Sequence, residues 1–123
     1  MMKKILVIDD EENFTKIVKM NLEQTGKYEV ACENRGSAAL ARAKDFAPDL
    51  IFLDVMMPDI DGGTVAFQLK EARETKDIPI VFLTAVATKD EATSRGGTIG
   101  GHPFIPKPAS AADLIKCIEK YSK

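Results

Sequence analysis

The sequence has few of the residues that bind transition metals. It contains two cysteines, Cys32 and Cys117, and one histidine, His102. The cysteines have no metal-ligand spacing and no nearby histidine cluster, so we interpret both as small, partly buried residues of structured segments. His102 has no ligand partner in the sequence, which indicates a structural or exposed side chain. A metal site built on cysteine or histidine is therefore not expected.

Long apolar runs and blocks of a single charge are also absent. No apolar segment approaches the roughly 20 residues of a membrane-spanning helix, and residues 1–4 lead directly into a predicted strand instead of a signal peptide. The 17 Lys and Arg oppose 19 Asp and Glu, and no basic run is longer than Lys3-Lys4. We therefore predict a cytoplasmic protein with no membrane interaction and no direct nucleic-acid binding.

Short apolar runs alternate with helix-forming segments along all 123 residues. The predicted strands cover residues 5–8, 28–32, 50–53, 80–83 and 104–105. Runs without apolar–polar alternation are typical of strands buried on both faces. Strands that alternate with helices favour a doubly wound parallel sheet of the α/β class. No repeat, linker or low-complexity tract interrupts the pattern, which predicts a single domain over residues 1–123.

Hydrophobic spacing also predicts which helix faces are buried. The first helix should bury Phe14, Ile17, Val18 and Leu22 at helical spacing. A third helix should run from residue 62 to about residue 75, and a last helix should begin at Ser110 with a capping box. Residues 87–101 are rich in glycine and poor in apolar residues, so any fourth helix should be short, over residues 89–95.

Polar side chains follow four of the predicted strands at their carboxyl ends. Asp9 and Asp10 follow the first strand, Asp54 the third, Thr84 the fourth and Lys107 the fifth. Right-handed crossovers place these ends along one edge of the sheet. Clustered carboxylates are suitable ligands for Mg²⁺, a further carboxylate can act as a nucleophile, and lysine supplies a compact positive charge for a phosphoryl oxygen. The set contains every group needed for phosphoryl transfer to Asp54.

The chain resembles the receiver domain of two-component response regulators over nearly its whole length. The matching residues are Val7-Ile8-Asp9-Asp10-Glu11, Asp54 with Met57-Pro58 and Asp61-Gly62, Leu83-Thr84-Ala85, and Phe104 with Lys107-Pro108. The resemblance implies a flavodoxin-like sheet of five parallel strands in the order 2-1-3-4-5. It also implies a cis peptide bond between Lys107 and Pro108.

The resemblance assigns a role to each candidate site residue. Asp54 would accept a phosphoryl group from a sensor histidine kinase or phosphotransfer protein. Mg²⁺ would be held by Asp9, Asp10, Asp54 and the carbonyl of Met56. Thr84 and Lys107 would bind the phosphoryl group, and Thr84 with Phe104 would form a switch pair. Phosphorylation would then change the face formed by the fourth helix, the fifth strand and the last helix, which meets an unknown output domain or partner.

Three other functions use a similar fold. A Mg²⁺-dependent phosphatase or phosphotransferase would need an acid two residues after the nucleophile, where this chain has Met56. A flavin-binding protein would need a phosphate-binding loop after the first strand, where acidic residues 9–12 would repel a phosphate. A scaffold that signals without phosphorylation would not need the acids, Thr84 and Lys107. We therefore interpret the chain as a phosphoacceptor switch and not as a metabolic enzyme.

Two positions depart from the family pattern. Gly63 replaces a residue that is commonly large and apolar, and Phe67 replaces one that is usually polar. Helical side chains lean toward the amino terminus, so Phe67 could cover the space left at Gly63, the alternative being a simply exposed phenylalanine. The stretch Asp59-Ile60-Asp61-Gly62 lacks the spacing and closing glutamate of a calcium loop, and we interpret it as a turn and helix cap.

Overall fold

The computed structural model describes residues 2–85, 98–99, 101–107 and 110–122. The strands in the described residues are β1 (Lys3–Ile8), β2 (Tyr28–Glu33), β3 (Leu50–Asp54), β4 (Ile80–Thr84), β5 (Thr98–Ile99) and β6 (His102–Pro106). The α-helices are α1 (Glu12–Glu23), α2 (Ala39–Phe46), α3 (Gly62–Glu71) and α4 (Ala111–Tyr121), and a short 3₁₀ helix, Gly36–Ala38, precedes α2.

The strands form one sheet in the order β2-β1-β3-β4-β6-β5. The pairs from β2 to β6 are all parallel, so the predicted order of five parallel strands is confirmed. The two-residue strand β5 was not predicted, and it pairs with β6 in an antiparallel arrangement. It covers the outer side of β6 at that edge of the sheet.

The central strands are buried on both faces. Every residue of β3 and β4 is buried, which explains why their sequences are continuous apolar runs. Alternate residues contribute to separate clusters on the two faces: Leu6 and Ile8 belong to one, Ile5 and Val7 to the other. In the fully buried strands β3 and β4, polar side chains therefore stand only at the carboxyl ends.

Helix α1 differs from the prediction on its buried face. Ile17 was expected to be buried, but its side chain is 56% exposed, whereas Thr15 is buried beside Val18 and Leu22. The buried stripe therefore follows positions 15, 18 and 22, and Ile17 lies about 100° around the helix from Val18. Thr15 is accommodated in this position because its hydroxyl donates a hydrogen bond to the Glu12 carbonyl at 3.0 Å.

The ends of the later helices follow local hydrogen bonding. Asp61 caps α3 by accepting a hydrogen bond from the Thr64 amide at 2.9 Å, which confirms its interpretation as a helix cap. Helix α3 ends at Glu71 and not near residue 75, because the Thr75 hydroxyl donates to the Leu69 carbonyl at 2.5 Å and turns the chain back. The capping box predicted at Ser110 is present at the start of α4.

Strand β2 forms the opposite edge of the sheet, and two side chains from α1 cover part of it. The Lys19 ammonium donates a hydrogen bond to the Val30 carbonyl at 2.6 Å. The Glu23 carboxylate accepts a hydrogen bond from the Val30 amide at 3.1 Å. Lys19 Nζ lies 3.3 Å from Glu23 Oε2. One ion pair thereby satisfies both outward-facing backbone groups of Val30.

Two predictions fall outside the described residues: the short helix over residues 89–95 and the cis bond before Pro108. Among the helices that the structure describes, none has the length and apolar character needed to cross a membrane. The two cysteines are free and half-buried, as expected.

Candidate functional site

Hydrogen bonds between strand ends gather the predicted site residues at one edge of the sheet. The Lys107 amide donates to the Thr84 carbonyl at 2.7 Å, and the Val55 amide donates to the Leu83 carbonyl at 3.0 Å. The Asp9 amide donates to the Glu33 carbonyl at 3.0 Å. The carboxyl ends of β1, β3, β4 and β6 therefore lie side by side. Parallel sheets commonly place ligand sites in this position.

Three carboxylates converge at this edge. Asp9, Asp10 and Asp54 each offer an oxygen atom, and these oxygens lie within 4.8 Å of one another. Asp9 and Asp54 are buried and Asp10 is exposed, so the cluster is open to solvent on the Asp10 side. Two buried acids and one exposed acid thus form a pocket that a small cation can enter.

Burial and repulsion make the buried acids difficult to ionise. Burial, and next the charge of Asp9, raise the pKa of Asp54 to about 7, although Lys107 opposes this increase. A hydrogen bond with Asp10 also favours the protonated carboxyl. Burial likewise raises the pKa of Asp9, against the lowering effect of Lys107. The pocket without a cation therefore has more negative charge than its surroundings stabilise.

Lys107 supplies the positive charge of the pocket. Its side chain is only 10% exposed, and its ammonium pairs with Asp9 while lying 3.7 Å from Asp54 Oδ1 and 3.5 Å from Glu11 Oε1. Burial lowers the pKa of this ammonium, but the three acids more than offset that effect and raise it. Lys107 is therefore a charged group held beside Asp54, the acid whose pKa is raised to about 7.

Lys107 also contacts an aromatic ring. Its Nζ atom lies over the face of Phe14, 4.7 Å from the ring centroid. Phe14 lies in the first turns of α1 and is half-buried against the core cluster on that side of the sheet. A cation at this distance is attracted to the negative face of the ring.

The loop after Asp54 is fixed at both ends. The Gly62 amide donates to the Val55 carbonyl at 2.7 Å, and a side chain at Gly62 would collide with the backbone of Asp54. Near its tip, Asp59 accepts hydrogen bonds from the amides of Gly36 and Ser37 at 3.3 and 2.9 Å. This loop contains Met56, whose side chain is 64% exposed beside the pocket.

Thr84 and Phe104 lie on the adjacent strands β4 and β6, two positions apart in register, because Phe104 is opposite Phe82. Thr84 is buried at the end of β4, directly opposite Pro106 of β6. Phe104 is 7% exposed and packs in the core cluster that includes Phe82. Both residues of the predicted switch pair are therefore buried, Thr84 at the strand end that borders the site and Phe104 two positions further into the sheet.

The predicted compensation between Gly63 and Phe67 is not observed. Phe67 is 65% exposed, so its ring does not fill a space left by Gly63. A Cβ atom at Gly63 would meet only the Asp61 carboxylate, at 3.1 Å. The simpler interpretation, an exposed phenylalanine, agrees with the structure.

The donor set fits a hard divalent cation. Its three ligand groups are carboxylates, and one is exposed and able to exchange with water. Magnesium prefers oxygen ligands and usually keeps several waters in a protein site. A cation here would also neutralise the charge that raises the pKa of Asp54. The residues present therefore suit Mg²⁺ in chemistry and in charge.

Sequence reasoning did not identify three neighbours of this pocket. The Asn34 side-chain amide donates to the Asp9 carbonyl at 2.8 Å and to the Thr15 hydroxyl at 3.0 Å. Glu11 and Phe14 contact Lys107, as described above. Each of these contacts joins residues that are far apart in the sequence. In the sequence itself, only the acidic run at residues 9–12 indicated that this part of the chain belongs to the site.

Comparison with known proteins gives consistent matches. A family model described as the response regulator receiver domain matches residues 5–119. PhoP of Bacillus subtilis, an alkaline phosphatase synthesis transcriptional regulatory protein, is 40% identical over 128 residues, which cover 100% of this chain and 51% of PhoP. DivK of Brucella ovis, a polar-differentiation response regulator, is 34% identical, and the match covers 98% of this chain and 97% of DivK.

The fold comparison agrees with the sequence matches. The structure of the Vibrio cholerae chemotaxis protein CheY4 superposes with a TM-score of 0.82 at 28% identity, covering 98% of each chain. This chain thus spans about half the length of PhoP and nearly all of DivK. It belongs to the response regulator receiver domains, the phosphoacceptor signalling switches of two-component systems.

Proposed function

We propose that Asp54 is the phosphoacceptor of this receiver domain and that Asp9, Asp10, Asp54 and the Met56 carbonyl hold Mg²⁺. Thr84 and Lys107 bind the transferred phosphoryl group. Thr84 and Phe104 then transmit the change caused by phosphorylation to the face around β6 and α4. The observation that carries this proposal is the placement of the Lys107 ammonium 3.7 Å from Asp54 Oδ1, within a cluster of three carboxylates.

The reaction needs little from the protein beyond positioning. An Asp54 carboxylate oxygen forms a bond to phosphorus as the bond from phosphorus to the donor breaks, and the bonding electrons leave with the donor. Mg²⁺, when bound, neutralises charge on the phosphoryl oxygens. Lys107 remains at the same oxygens as a second positive charge. The hydrogen bond from the Gly62 amide to the Val55 carbonyl restrains the loop that follows the acceptor carboxylate.

Receiver domains bind Mg²⁺ at an acidic pocket and interact with histidine kinases or phosphotransfer proteins. For this chain we infer a phosphohistidine donor, because its leaving imidazole requires no acid from the receiver. We also infer that residues 1–123 act as one receiver unit. A phosphatase acting on an external substrate is disfavoured, because the position of its general acid is taken by the apolar side chain of Met56.

Intact-mass measurement tests the proposal. Incubation with acetyl phosphate and Mg²⁺ should add one phosphoryl group, and excess chelator should prevent the addition. Borohydride reduction followed by peptide mapping should place the modification on Asp54. A phosphoryl group on Asp9 or Asp10, or labelling that is unaffected by chelator, would contradict the assignment.

The phosphorylated form should lose its phosphoryl group slowly. Attack by water benefits from a side chain that orients it, and Met56 is apolar and 64% exposed beside the pocket. By resemblance to the family, the other position placed to orient water is two residues beyond Thr84. In this chain it is the apolar Val86, which lies outside the described residues. Met56→Asn, alone or with Val86→Glu, should increase the dephosphorylation rate several-fold, measured by the decay of the phosphorylated mass.

Met20→Asn is a matched control for this prediction. Met20 is 57% exposed on α1, so its substitution makes the same change in polarity at an exposed methionine elsewhere. It should leave the decay rate unchanged. Equal decay of the Met56→Asn variant and the wild type would show that residue 56 does not limit access of water.

A further inference from the structure

The contact between Lys107 and Phe14 gives the phosphoryl-binding lysine a second restraint. Acids lie on several sides of its ammonium: it pairs with Asp9 and lies within 4 Å of Asp54 and Glu11. Glu11 is 67% exposed, whereas the Lys107 side chain is 10% exposed. An ammonium is strongly hydrated, so hydration by solvent competes with this buried position.

The Phe14 ring favours the buried position. It lies 4.7 Å from the Lys107 ammonium and is itself anchored among the residues that pack between the sheet and α1. An aromatic face attracts a desolvated cation more strongly than a hydrated one. The ring therefore attracts the Lys107 ammonium, whereas a leucine of similar size would make only apolar contact.

We propose that Phe14 is a positioning residue for Lys107, whose ammonium its ring holds in the buried position against Asp9 and beside Asp54. The role rests on the proposed function, in which Lys107 binds the transferred phosphoryl group. The Phe14 side chain is a hydrocarbon, so it can neither coordinate Mg²⁺ nor donate a hydrogen bond to the acceptor. Its effect should therefore appear in the rate of phosphoryl transfer and not in the binding of Mg²⁺.

The first test does not depend on phosphorylation. Urea unfolding is measured for the wild type, Phe14→Leu, Lys107→Met and the double variant. If the ring attracts the ammonium, Phe14→Leu should change the unfolding equilibrium constant about three- to tenfold more when Lys107 is present than when it is methionine. Equal effects in the two backgrounds would overturn the proposal.

The second test measures phosphorylation by acetyl phosphate at saturating Mg²⁺. Phe14→Leu should slow the reaction about three- to tenfold, whereas Phe14→Tyr, which keeps the ring, should retain the wild-type rate. The Mg²⁺ dissociation constant, measured by calorimetry, should not rise in either variant. A wild-type rate for Phe14→Leu, a slow Phe14→Tyr, or weaker Mg²⁺ binding in Phe14→Leu would each contradict the assignment.

The chain contains a matched control at the other end of the sheet. Lys4 Nζ lies 5.2 Å from the centroid of the Phe46 ring, near the start of β1 and far from the acidic pocket. Phe46→Leu removes a comparable contact and should not alter the phosphorylation rate; an equal slowing in this variant would overturn the proposal. Absence of phosphorylation in the wild type would instead count against the proposed function, while the unfolding test would still decide the role of Phe14.

Discussion

Asp54→Asn should abolish Mg²⁺-dependent phosphorylation and, in chelator, make the protein more stable than the wild type. The first result follows because asparagine has no carboxylate to attack phosphorus. The second follows because burial and the charge of Asp9 raise the pKa of Asp54 from 3.8 to about 7. Ionising this group in the folded protein therefore costs free energy, and we expect the variant to gain about 1–3 kcal/mol at neutral pH.

The sign of this effect predicts its dependence on pH. The folded protein binds the Asp54 proton more tightly than the unfolded chain does, so the stabilisation from that proton is complete below pH 3.8 and is lost as pH rises to about 7. The difference in stability between Asp54→Asn and the wild type should thus be small in acid and grow through this interval. Urea unfolding in chelator at several pH values measures it.

Asp77→Asn is a suitable control for both measurements. Asp77 is exposed in the loop before β4, at the end of the sheet opposite the pocket, so this variant should match the wild type in phosphorylation and stability. Persistent labelling of Asp54→Asn would contradict the role of Asp54 as the acceptor. A variant less stable than the wild type in chelator would contradict the argument from burial and charge repulsion.

Asp10→Asn should weaken Mg²⁺ binding by at least about tenfold. Asp10 is the exposed member of the carboxylate cluster, so its loss removes a charged oxygen ligand with little effect on packing. For the wild type, Mg²⁺ at ten times its dissociation constant should stabilise the fold by about 1.4 kcal/mol. The same concentration should stabilise Asp10→Asn much less, which calorimetry and melting curves can measure.

This variant separates charge repulsion from metal binding. Without Mg²⁺, Asp10→Asn should be at least as stable as the wild type, because it relieves part of the repulsion around Asp54. With Mg²⁺, the order should reverse as the wild type gains more from the cation. Unchanged affinity for Mg²⁺ would exclude Asp10 as a ligand.

The strand ends could be predicted from sequence because their signal is local. Buried parallel strands must be continuous apolar runs, so the first polar residue after each run marks an end, and topology places those ends together. Asp54 and Thr84 were identified in this way. The same logic fails for Ile17, because one apolar residue on a helix of mixed pattern does not fix the rotation of the helix against the sheet.

Contacts between distant segments could not be predicted in this way. Phe14 meets Lys107 across more than ninety positions of the sequence, and Asp59 accepts hydrogen bonds from the amides of Gly36 and Ser37. Neither contact produces a periodic pattern in the sequence, since each depends on how two distant segments approach each other in the folded chain. The two interpretations of Phe67 could not be separated for the same reason: its spacing allows contact with Gly63, but nothing in the sequence directs its ring toward the protein.

The pair formed by Lys19 and Glu23 has a consequence for how copies of this chain behave together. By occupying the amide and carbonyl of Val30, it denies a neighbouring molecule the hydrogen bonds with which strands join edge to edge. This protection of the edge depends partly on attraction between the exposed charges of Lys19 and Glu23. Concentrated salt would screen that attraction and weaken the protection. Association through the β2 edge would then depend on ionic strength, without any change at the acidic pocket.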